Sequence, residues 1–258
     1  MKLKNYFKII LSLFIFISGL TSTYYLTANR REIKKNFGKV NQRLFSKIKI
    51  KQIGDDKFWA KEILNGGYIL FFRHAERNKW SSVKMFDAIE VGLHNNGKNG
   101  TRFAENEYFK DAVCLNKKGE VQAQGMREII EFSNLPIGNI ISSPSCRARQ
   151  TAELAFGKYD TLNKNLLFSG VFSEKENERQ KFLKDYLLNL SIKEGTNTII
   201  TAHNGVISDE IFDQIDKMTK IGEGGFAVIS NKDNKLIKEH TFYSFSNFTK
   251  IFFNREFE

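Results

Sequence analysis

The stretch that decides the fold reads "YILFFRHAERNKW" and runs from Tyr68 to Trp80. Its first five residues, Tyr68 to Phe72, form an apolar run of the length typical of a buried strand. The run stops at Arg73-His74, and Arg77 follows three residues beyond the histidine. A histidine between two arginines is repelled when it is protonated, so this position favours a functional role for the ring over a structural one.

Elements on both sides of this strand predict an α/β domain. The segment "KFWAKEILNGG" before it reads as a short helix that Gly66-Gly67 closes. The segment "LNKKGEVQAQGMREIIEF" is amphipathic, and Asn116 is the expected cap of its helix. The apolar side chains of that helix are expected to lie mostly on one face; they are Val121, Met126, Ile129, Ile130 and Phe132.

The remaining elements continue the alternation of strands and helices. "NIISSP" predicts a strand that feeds a helix with Ser143 as cap and Pro144 as its first residue. "NTIITAH" predicts another buried strand, "VISDEIFDQI" a helix, and "GFAVIS" and "LIKEHTFY" two late strands. Strands separated by helices predict a three-layer α/β/α sandwich with a mostly parallel sheet, which we assign to residues 56–258.

Three of the predicted strands end on, or lead into, residues that bind anions or react with them. One strand ends at Arg73-His74, another ends at His203, and "NIISSP" leads into the helix that carries Arg147. Ligands of open α/β sheets lie at the carboxyl ends of the strands, so these residues are expected to surround one crevice. Guanidinium groups match phosphate oxygens in pairs, and several of them together favour a dianion.

Arg147 and Arg149 compete for one position in this crevice. They lie about 200° apart on a helix, so only one of them is expected to face the ligand. We choose Arg147, which shares a helix face with Thr151 and Leu154.

These motifs resemble those of the histidine phosphatase superfamily, which has the phosphoglycerate mutase-like fold. "RHAER", "LNKKGEVQAQG", "SSPSCRARQTAE" and "TAHNG" occur in the order of that family and cover roughly residues 67–207. The resemblance implies that His74 is a nucleophile that forms a phosphohistidine and that His203 contacts the phosphoryl group. It also implies that Arg73, Arg77 and Arg147 bind the phosphate and that neither a metal nor another cofactor is needed.

Two residues depart from the family pattern, and one catalytic role stays open. Ala75 stands where the family usually has glycine, and Asn204 follows His203 where glycine, aspartate or alanine is commoner.

The leaving alcohol must be protonated, which calls for a nearby carboxylic acid. The candidates, in order of preference, are Glu90, Asp87 and Glu174.

The N-terminal arm differs from the rest of the chain in charge and hydropathy. Residues 1–50 hold 11 of the 40 basic and one of the 29 acidic residues, which leaves 29 basic and 28 acidic residues elsewhere. Three lysines precede an uncharged stretch from Ile9 to Ala28, which is long enough for a membrane-spanning helix. We expect residues 1–29 to be an uncleaved signal-anchor, with a cleaved signal peptide as the alternative, and residues 30–55 to be a basic linker.

This charge distribution favours a membrane surface over a nucleic acid as the partner of the arm. The basic linker argues for a cytoplasmic domain and the signal-like start for an exported one; of the two, we favour a membrane-anchored, extracytoplasmic domain. Cleavage would instead release a secreted or periplasmic protein. Cys114 and Cys146 pair once or not at all, and nothing in the sequence fixes the oligomeric state.

The function expected from these features is hydrolysis of a phosphomonoester, either a small molecule or linked to a lipid. Two alternatives stay open. One is a phosphotransferase similar to phosphoglycerate mutase, and the other is a catalytically silent, membrane-tethered module that binds phosphorylated ligands.

Overall fold

The computed structural model describes residues 55–79, 110–168, 176–215 and 220–249. Seven strands in these ranges form one mixed sheet with the order β3-β2-β4-β1-β6-β7-β5. The strands are β1 (Ile69–Arg73), β2 (Ile137–Ser142), β3 (Thr161–Leu162), β4 (Asn197–Ala202), β5 (Gln214–Ile215), β6 (Phe226–Lys232) and β7 (Lys235–Phe242).

The described helices are α1 (55–62), α2 (Lys110–Val113), α3 (Lys117–Ser133), α4 (Cys146–Phe156), α5 (Glu176–Leu188) and α6 (Phe245–Thr249). Short 3₁₀ turns lie at Ile63–Asn65, Lys164–Leu166 and Asp209–Ile211. Gly66 and Gly67 end the first of these turns with φ angles of 75° and 91°, which glycine adopts without strain. The predicted glycine stop of the first helix is therefore confirmed.

Helices cover both faces of the sheet, as strand β1 makes clear. Successive side chains of a strand point to opposite faces. Leu70 and Phe72 lie in one core with residues of α3, α4 and α6, whereas Ile69 and Phe71 lie in a second core with residues of α5. The prediction of a three-layer α/β/α arrangement is confirmed.

One half of the sheet is parallel, and the other half contains a hairpin. Strand β4 lies between β1 and β2 and is parallel to both, and β3 is parallel to β2. Strand β6 is antiparallel to β1 and to β7. The turn between β6 and β7 consists of Asp233 and Asn234, whose φ angles of 52° and 56° suit a two-residue hairpin turn with positive φ at both positions.

Helix α3 agrees with its predicted cap but only partly with its predicted face. The Asn116 side chain accepts a hydrogen bond from the backbone N–H of Gly119, as a helix N-cap does. Met126 and Ile130 are buried in the core, but Val121 and Phe132 are 58% and 62% exposed. The prediction that these two side chains join the apolar face was wrong, because the small residues Gly119 and Ala123 form the rest of the buried face.

Two other predicted elements were also wrong in part. Helix α4 begins at Cys146 with Ser145 as N-cap, two residues later than the predicted cap at Ser143. The segment "VISDEIFDQI" forms a 3₁₀ turn and strand β5 instead of a helix. Asp213 holds this segment against β7, since its backbone N–H donates to the Leu236 carbonyl and its carboxylate accepts from the Leu236 N–H.

None of the helices within the described ranges has both the length and the apolar character needed to cross a membrane. The uncharged stretch from Ile9 to Ala28 and the basic linker up to residue 54 lie outside those ranges. The predicted signal-anchor therefore stays a prediction.

Candidate active site

The register of three parallel strands brings the predicted catalytic residues together. Arg73 is paired with Ala202 across β1 and β4, so His74 and His203 are the next residues on the two neighbouring strands. The His74 N–H donates to the Ala202 carbonyl at 3.0 Å and continues the ladder. The centroids of the two imidazole rings lie 5.2 Å apart. The crevice predicted at the carboxyl ends of these strands is therefore formed around two histidines.

The hydrogen bonds of His74 fix which of its nitrogens can react. Nδ1 lies 2.7 Å from the carbonyl oxygen of Ala75. A carbonyl can only accept, so Nδ1 carries the proton and Nε2 keeps its lone pair. Burial lowers the pKa of His74 well below its usual value, and the positive charge of Arg147 lowers it further. The ring is thus neutral near pH 7 and has the nucleophilic nitrogen that attack on phosphorus requires.

His203 is held by two hydroxyl groups on the loop before α4. Its Nε2 lies 3.2 Å from Ser143 Oγ and 3.1 Å from Ser145 Oγ. Nδ1 is buried and has no hydrogen-bond partner in the described part of the chain. Burial is the main reason that the pKa of His203 lies well below its usual value, and Arg147 and His74 contribute to the shift. A neutral ring anchored through Nε2 can present Nδ1–H to an incoming oxygen atom.

Arg73 is fixed by the loop that precedes β6. Nη1 donates to the Ile221 carbonyl and Nη2 to Glu223 Oε1, both at 3.1 Å. Nε is buried and has no hydrogen-bond partner within the described residues. The guanidinium is therefore oriented by two groups while one buried donor is left over, as expected of a side chain that binds an anion.

Helix α4 supplies Arg147 and joins it to the segment that carries His74. Arg147 is 1% exposed, and its charge is the largest electrostatic contribution to the lowered pKa values of both histidines. Thr151, one turn along, donates to the Arg147 carbonyl at 2.7 Å and accepts from the Ala75 N–H at 2.9 Å. Arg149 is equally buried, but its Nε donates to the Pro144 carbonyl at 2.8 Å and so supports the loop before the helix.

Arg77 also belongs to the electrostatic surroundings of the two histidines. Its Nη1 donates to the carbonyl of the next residue, Asn78, at 2.6 Å. Its positive charge lowers the pKa of both His74 and His203, although less than burial and Arg147 do.

The three candidate acids, Glu90, Asp87 and Glu174, lie outside the described residues. Glu76, two residues after His74, accepts a hydrogen bond from the Asn116 side-chain amide at 3.3 Å. Among the described residues, no group of three or more His, Cys, Asp or Glu side chains is arranged to hold a metal ion.

Ala75 fits the site without strain although the family pattern has glycine there. Its φ is not positive, since the described non-glycine residues with positive φ are Asn134, Asp233 and Asn234. Its methyl group is fully buried in a small cluster with Leu115 and Ala123. The added methyl therefore contributes to packing and does not enter the crevice as a bulky side chain would.

Several residues that shape the site were missed by the sequence reasoning. Glu223 lies 150 positions from Arg73, and no pattern in the sequence links the two. Ser143 was predicted as a helix cap and Ser145 was given no role, whereas the hydroxyl groups of both lie within hydrogen-bond distance of His203 Nε2. Cys114 and Cys146 form a disulfide, so the residue directly before Arg147 is covalently joined to the segment that leads into α3.

The chain was also compared with known proteins. No family model and no curated protein sequence matches it. Its fold is similar to several solved structures, each at low identity. The protein histidine phosphatase SixA complexed with tungstate is 12% identical with a TM-score of 0.40, and the match covers 66% of this chain and 92% of that one.

Two further solved structures are similar to the same degree. A phosphoserine phosphatase from Entamoeba histolytica, in complex with 3-phosphoglyceric acid, is 13% identical with a TM-score of 0.39 and coverages of 67% and 95%. A protein from an open reading frame of Mycobacterium tuberculosis is 13% identical with a TM-score of 0.39 and coverages of 67% and 98%. Similarity at this level does not identify a reaction or a substrate for this chain.

Proposed function

We propose that this protein is a phosphomonoesterase of the histidine phosphatase type, with His74 as nucleophile. The observation that carries the proposal is the hydrogen bond from His74 Nδ1 to the Ala75 carbonyl. It leaves the Nε2 lone pair of a buried, neutral ring beside His203 and within the field of three arginines. Few reactions other than attack on a phosphoryl dianion use a neutral imidazole in a cationic, buried crevice.

The reaction follows from these positions in two steps. Nε2 of His74 attacks phosphorus, the P–O ester bond breaks, and the alcohol leaves with a proton from a general acid. Water then attacks the phosphohistidine and gives a proton to the carboxylate that the first step left behind, the P–N bond breaks, and inorganic phosphate leaves. Arg73, Arg77 and Arg147 offset the charge on the phosphoryl oxygens in both steps, while Nδ1–H of His203 donates to one of them.

The surroundings of His203 argue against one alternative function, that of an acyl hydrolase. Ser145 and His203 are close enough to resemble the nucleophile and base of an acyl hydrolase. Such a pair needs a third group that orients the base. Nδ1 of His203 has no carboxylate partner within the described residues, so the serines are assigned to holding the ring.

The decisive experiment for the proposal replaces the nucleophile. His74→Ala should abolish hydrolysis of p-nitrophenyl phosphate, and a brief incubation with a ³²P-labelled phosphomonoester should leave acid-labile label on the wild type only. Circular dichroism and thermal unfolding of the variant check that the fold is kept. Turnover by a correctly folded His74→Ala variant would overturn the mechanism.

The same preparation separates the two alternative functions. A silent binding module would bind phosphate without turning over any ester. A phosphotransferase would pass labelled phosphate to an added alcohol in preference to water. We favour hydrolysis because transfer requires a closed site that excludes water and is built around one particular acceptor.

The general acid is proposed to be Glu90, with Asp87 and Glu174 as alternatives, and the choice of leaving group tests it. Nitrophenolate leaves unprotonated because its conjugate acid has a pKa of about 7, whereas an alkoxide leaves only when it receives a proton. A general acid that supplies this proton typically accelerates ester cleavage about 100- to 10,000-fold. Glu90→Gln should therefore slow alkyl phosphate hydrolysis far more than nitrophenyl phosphate hydrolysis. Equal effects on both esters would remove Glu90 and pass the same test to Asp87→Asn and Glu174→Gln.

We further propose that the N-terminal arm tethers the protein to a membrane, with the catalytic domain outside the cytoplasm. The uncharged stretch from Ile9 to Ala28 supports the tether, and the Cys114–Cys146 disulfide supports an oxidising compartment. The full-length protein should sediment with membranes even in 1 M salt, since an inserted helix is held by apolar burial and not by screened charge. Release by salt alone would contradict the spanning arm.

A further inference from the structure

A cavity of about 350 Å³ adjoins the phosphate site and shares His203 with it. Its walls come from the loop after β4, from the residues before β6 and from β7. Its lining includes His203, Asn204, Ile207, Lys220, Ile221 and Lys238.

Two contacts connect this cavity to the phosphate site. His203 belongs to both, and Ile221 lines the cavity while its carbonyl accepts a hydrogen bond from Arg73 Nη1 at 3.1 Å. A phosphoryl group held between Arg73 and His203 therefore has the cavity directly beside it. The part of a substrate that extends from the phosphorus through the ester oxygen has room to lie there.

The loop that forms one wall is held in place before any ligand binds. Gln180 on α5 donates to the Val206 carbonyl at 3.1 Å and accepts from the Ser208 N–H at 2.9 Å. Gly205, directly before Val206, has a φ of 87°, a conformation that favours glycine. Because this loop is already ordered, ligand binding costs it little conformational entropy. Such preorganisation favours tight and selective binding.

The charges that line the cavity leave one cation in excess. Lys238 is 5% exposed, and its Nζ lies 2.7 Å from Asp209 Oδ1, so these two charges balance each other. Lys220 is exposed and forms no ion pair with the described residues. The side-chain amide of Asn204 makes no hydrogen bond with those residues either and adds a hydrogen-bond donor.

We propose that this cavity binds the alcohol part of the substrate and that Lys220 selects alcohols carrying a second anionic group, a carboxylate or another phosphate. Ile207 and Ile221 supply apolar wall for the carbon chain between the two anionic ends. This inference rests on the proposed phosphomonoesterase activity and specifies the class of substrate for the same site.

Three phosphate esters that differ only at the far end of a three-carbon chain test the proposal. Propyl phosphate ends in a methyl group, the phosphate ester of 3-hydroxypropanoate ends in a carboxylate, and 3-aminopropyl phosphate ends in an ammonium group. Each is assayed with the full-length protein, both as a substrate and as a competitor of p-nitrophenyl phosphate hydrolysis. Competition keeps the comparison informative for an ester that is turned over slowly.

Lys220→Met removes the charge at similar side-chain length, and Lys220→Glu reverses it. The wild type should prefer the carboxylate ester to the ammonium ester by about tenfold, since a charge–charge interaction worth about 1.4 kcal/mol changes an equilibrium by that factor. Lys220→Met should reduce the preference at least threefold, and Lys220→Glu should reverse it. Lys193→Met serves as the matched control, because Lys193 is exposed in the loop before β4, at the opposite end of the sheet.

The outcomes separate failure of this inference from failure of the proposed function. An unchanged preference in both Lys220 variants, with normal loss of turnover in His74→Ala, would overturn the inference alone. A phosphate ester that ends in a second phosphate and competes no better than propyl phosphate would overturn it as well. Absence of any phosphomonoester turnover by the wild type would overturn the proposed function itself.

Discussion

Substitution of two glycines in helix α3 by alanine tests how closely this helix packs against the segment that follows His74. Gly119 lies in the first turn, where an added Cβ would overlap the backbone carbonyl of Glu76, two residues after His74. Gly125 lies in the middle of the same helix, and nothing would come within 4 Å of an added Cβ. Neither residue has a positive φ. The change to alanine is therefore chemically identical at both positions and differs only in the space available.

The expected effects have opposite signs. Alanine is preferred to glycine in a helix interior by about 0.5–1 kcal/mol, so Gly125→Ala should raise the free energy of unfolding by roughly that amount. Gly119→Ala forces helix α3 and the Glu76 backbone apart, and overpacking of this kind typically costs about 1–3 kcal/mol. For a domain of this size each kcal/mol corresponds to a shift in Tm of about 2–4 °C.

Thermal unfolding and kcat/KM for p-nitrophenyl phosphate are measured for both variants. Gly125→Ala should melt slightly above the wild type and retain its activity. Gly119→Ala should melt several degrees lower and lose activity, because the displaced Glu76 backbone belongs to the segment that orients His74 through the Ala75 carbonyl. Equal stability of the two variants would refute the close approach of α3 to the nucleophile segment.

Two further predictions concern charge in the site. The pKa values of His74 and His203 are lowered in the folded state. Below pH 6.5 the unfolded chain therefore takes up protons that the folded protein does not. The free energy of unfolding should then fall by up to about 1.4 kcal/mol per pH unit for each ring. Urea unfolding between pH 7.5 and pH 5 in phosphate-free buffer should show this loss, and His74→Asn should have a smaller slope; equal slopes would contradict the buried neutral ring. Glu223→Ala removes the carboxylate that orients Arg73, so KM for p-nitrophenyl phosphate should rise several-fold, whereas Glu223→Gln keeps an acceptor and should raise it less. Identical KM values in both Glu223 variants and the wild type would show that the contact does not position Arg73.

The parts of the site that the sequence could predict are those next to strand ends. His74 and His203 each follow a run of buried residues, and parallel neighbouring strands place the residues after such runs at one edge. Arg147 could be chosen over Arg149 from helix geometry, although both side chains proved to be buried. The structure gives Arg149 a different task, since its Nε donates to the Pro144 carbonyl.

Errors arose where tertiary contacts outweigh a local pattern. "VISDEIFDQI" has helix-like spacing, but the hydrogen bonds of Asp213 to Leu236 fix it beside β7. Ser143 has the residue type of a helix cap, yet its hydroxyl lies 3.2 Å from His203 Nε2, and the helix starts after Ser145. In both cases a polar side chain has a partner that is distant in sequence, which a local pattern cannot reveal.

The contact between Arg73 and Glu223 explains why one side of the site is hidden from the sequence. Strand β6 is antiparallel to β1, so the loop that precedes β6 lies beside the end of β1 and next to His74. Two backbone hydrogen bonds fix it there, from the Arg73 N–H to the Gly225 carbonyl and from the Gly224 N–H to the His74 carbonyl, both 3.0 Å long. Motifs at the carboxyl ends of parallel strands are recognisable because the reactive residue directly follows its strand. A loop that reaches the same edge from an antiparallel strand precedes its strand instead, so Glu223 and the cavity residue Lys220 have no comparable signature, and their roles emerge only once the order and direction of the strands are known.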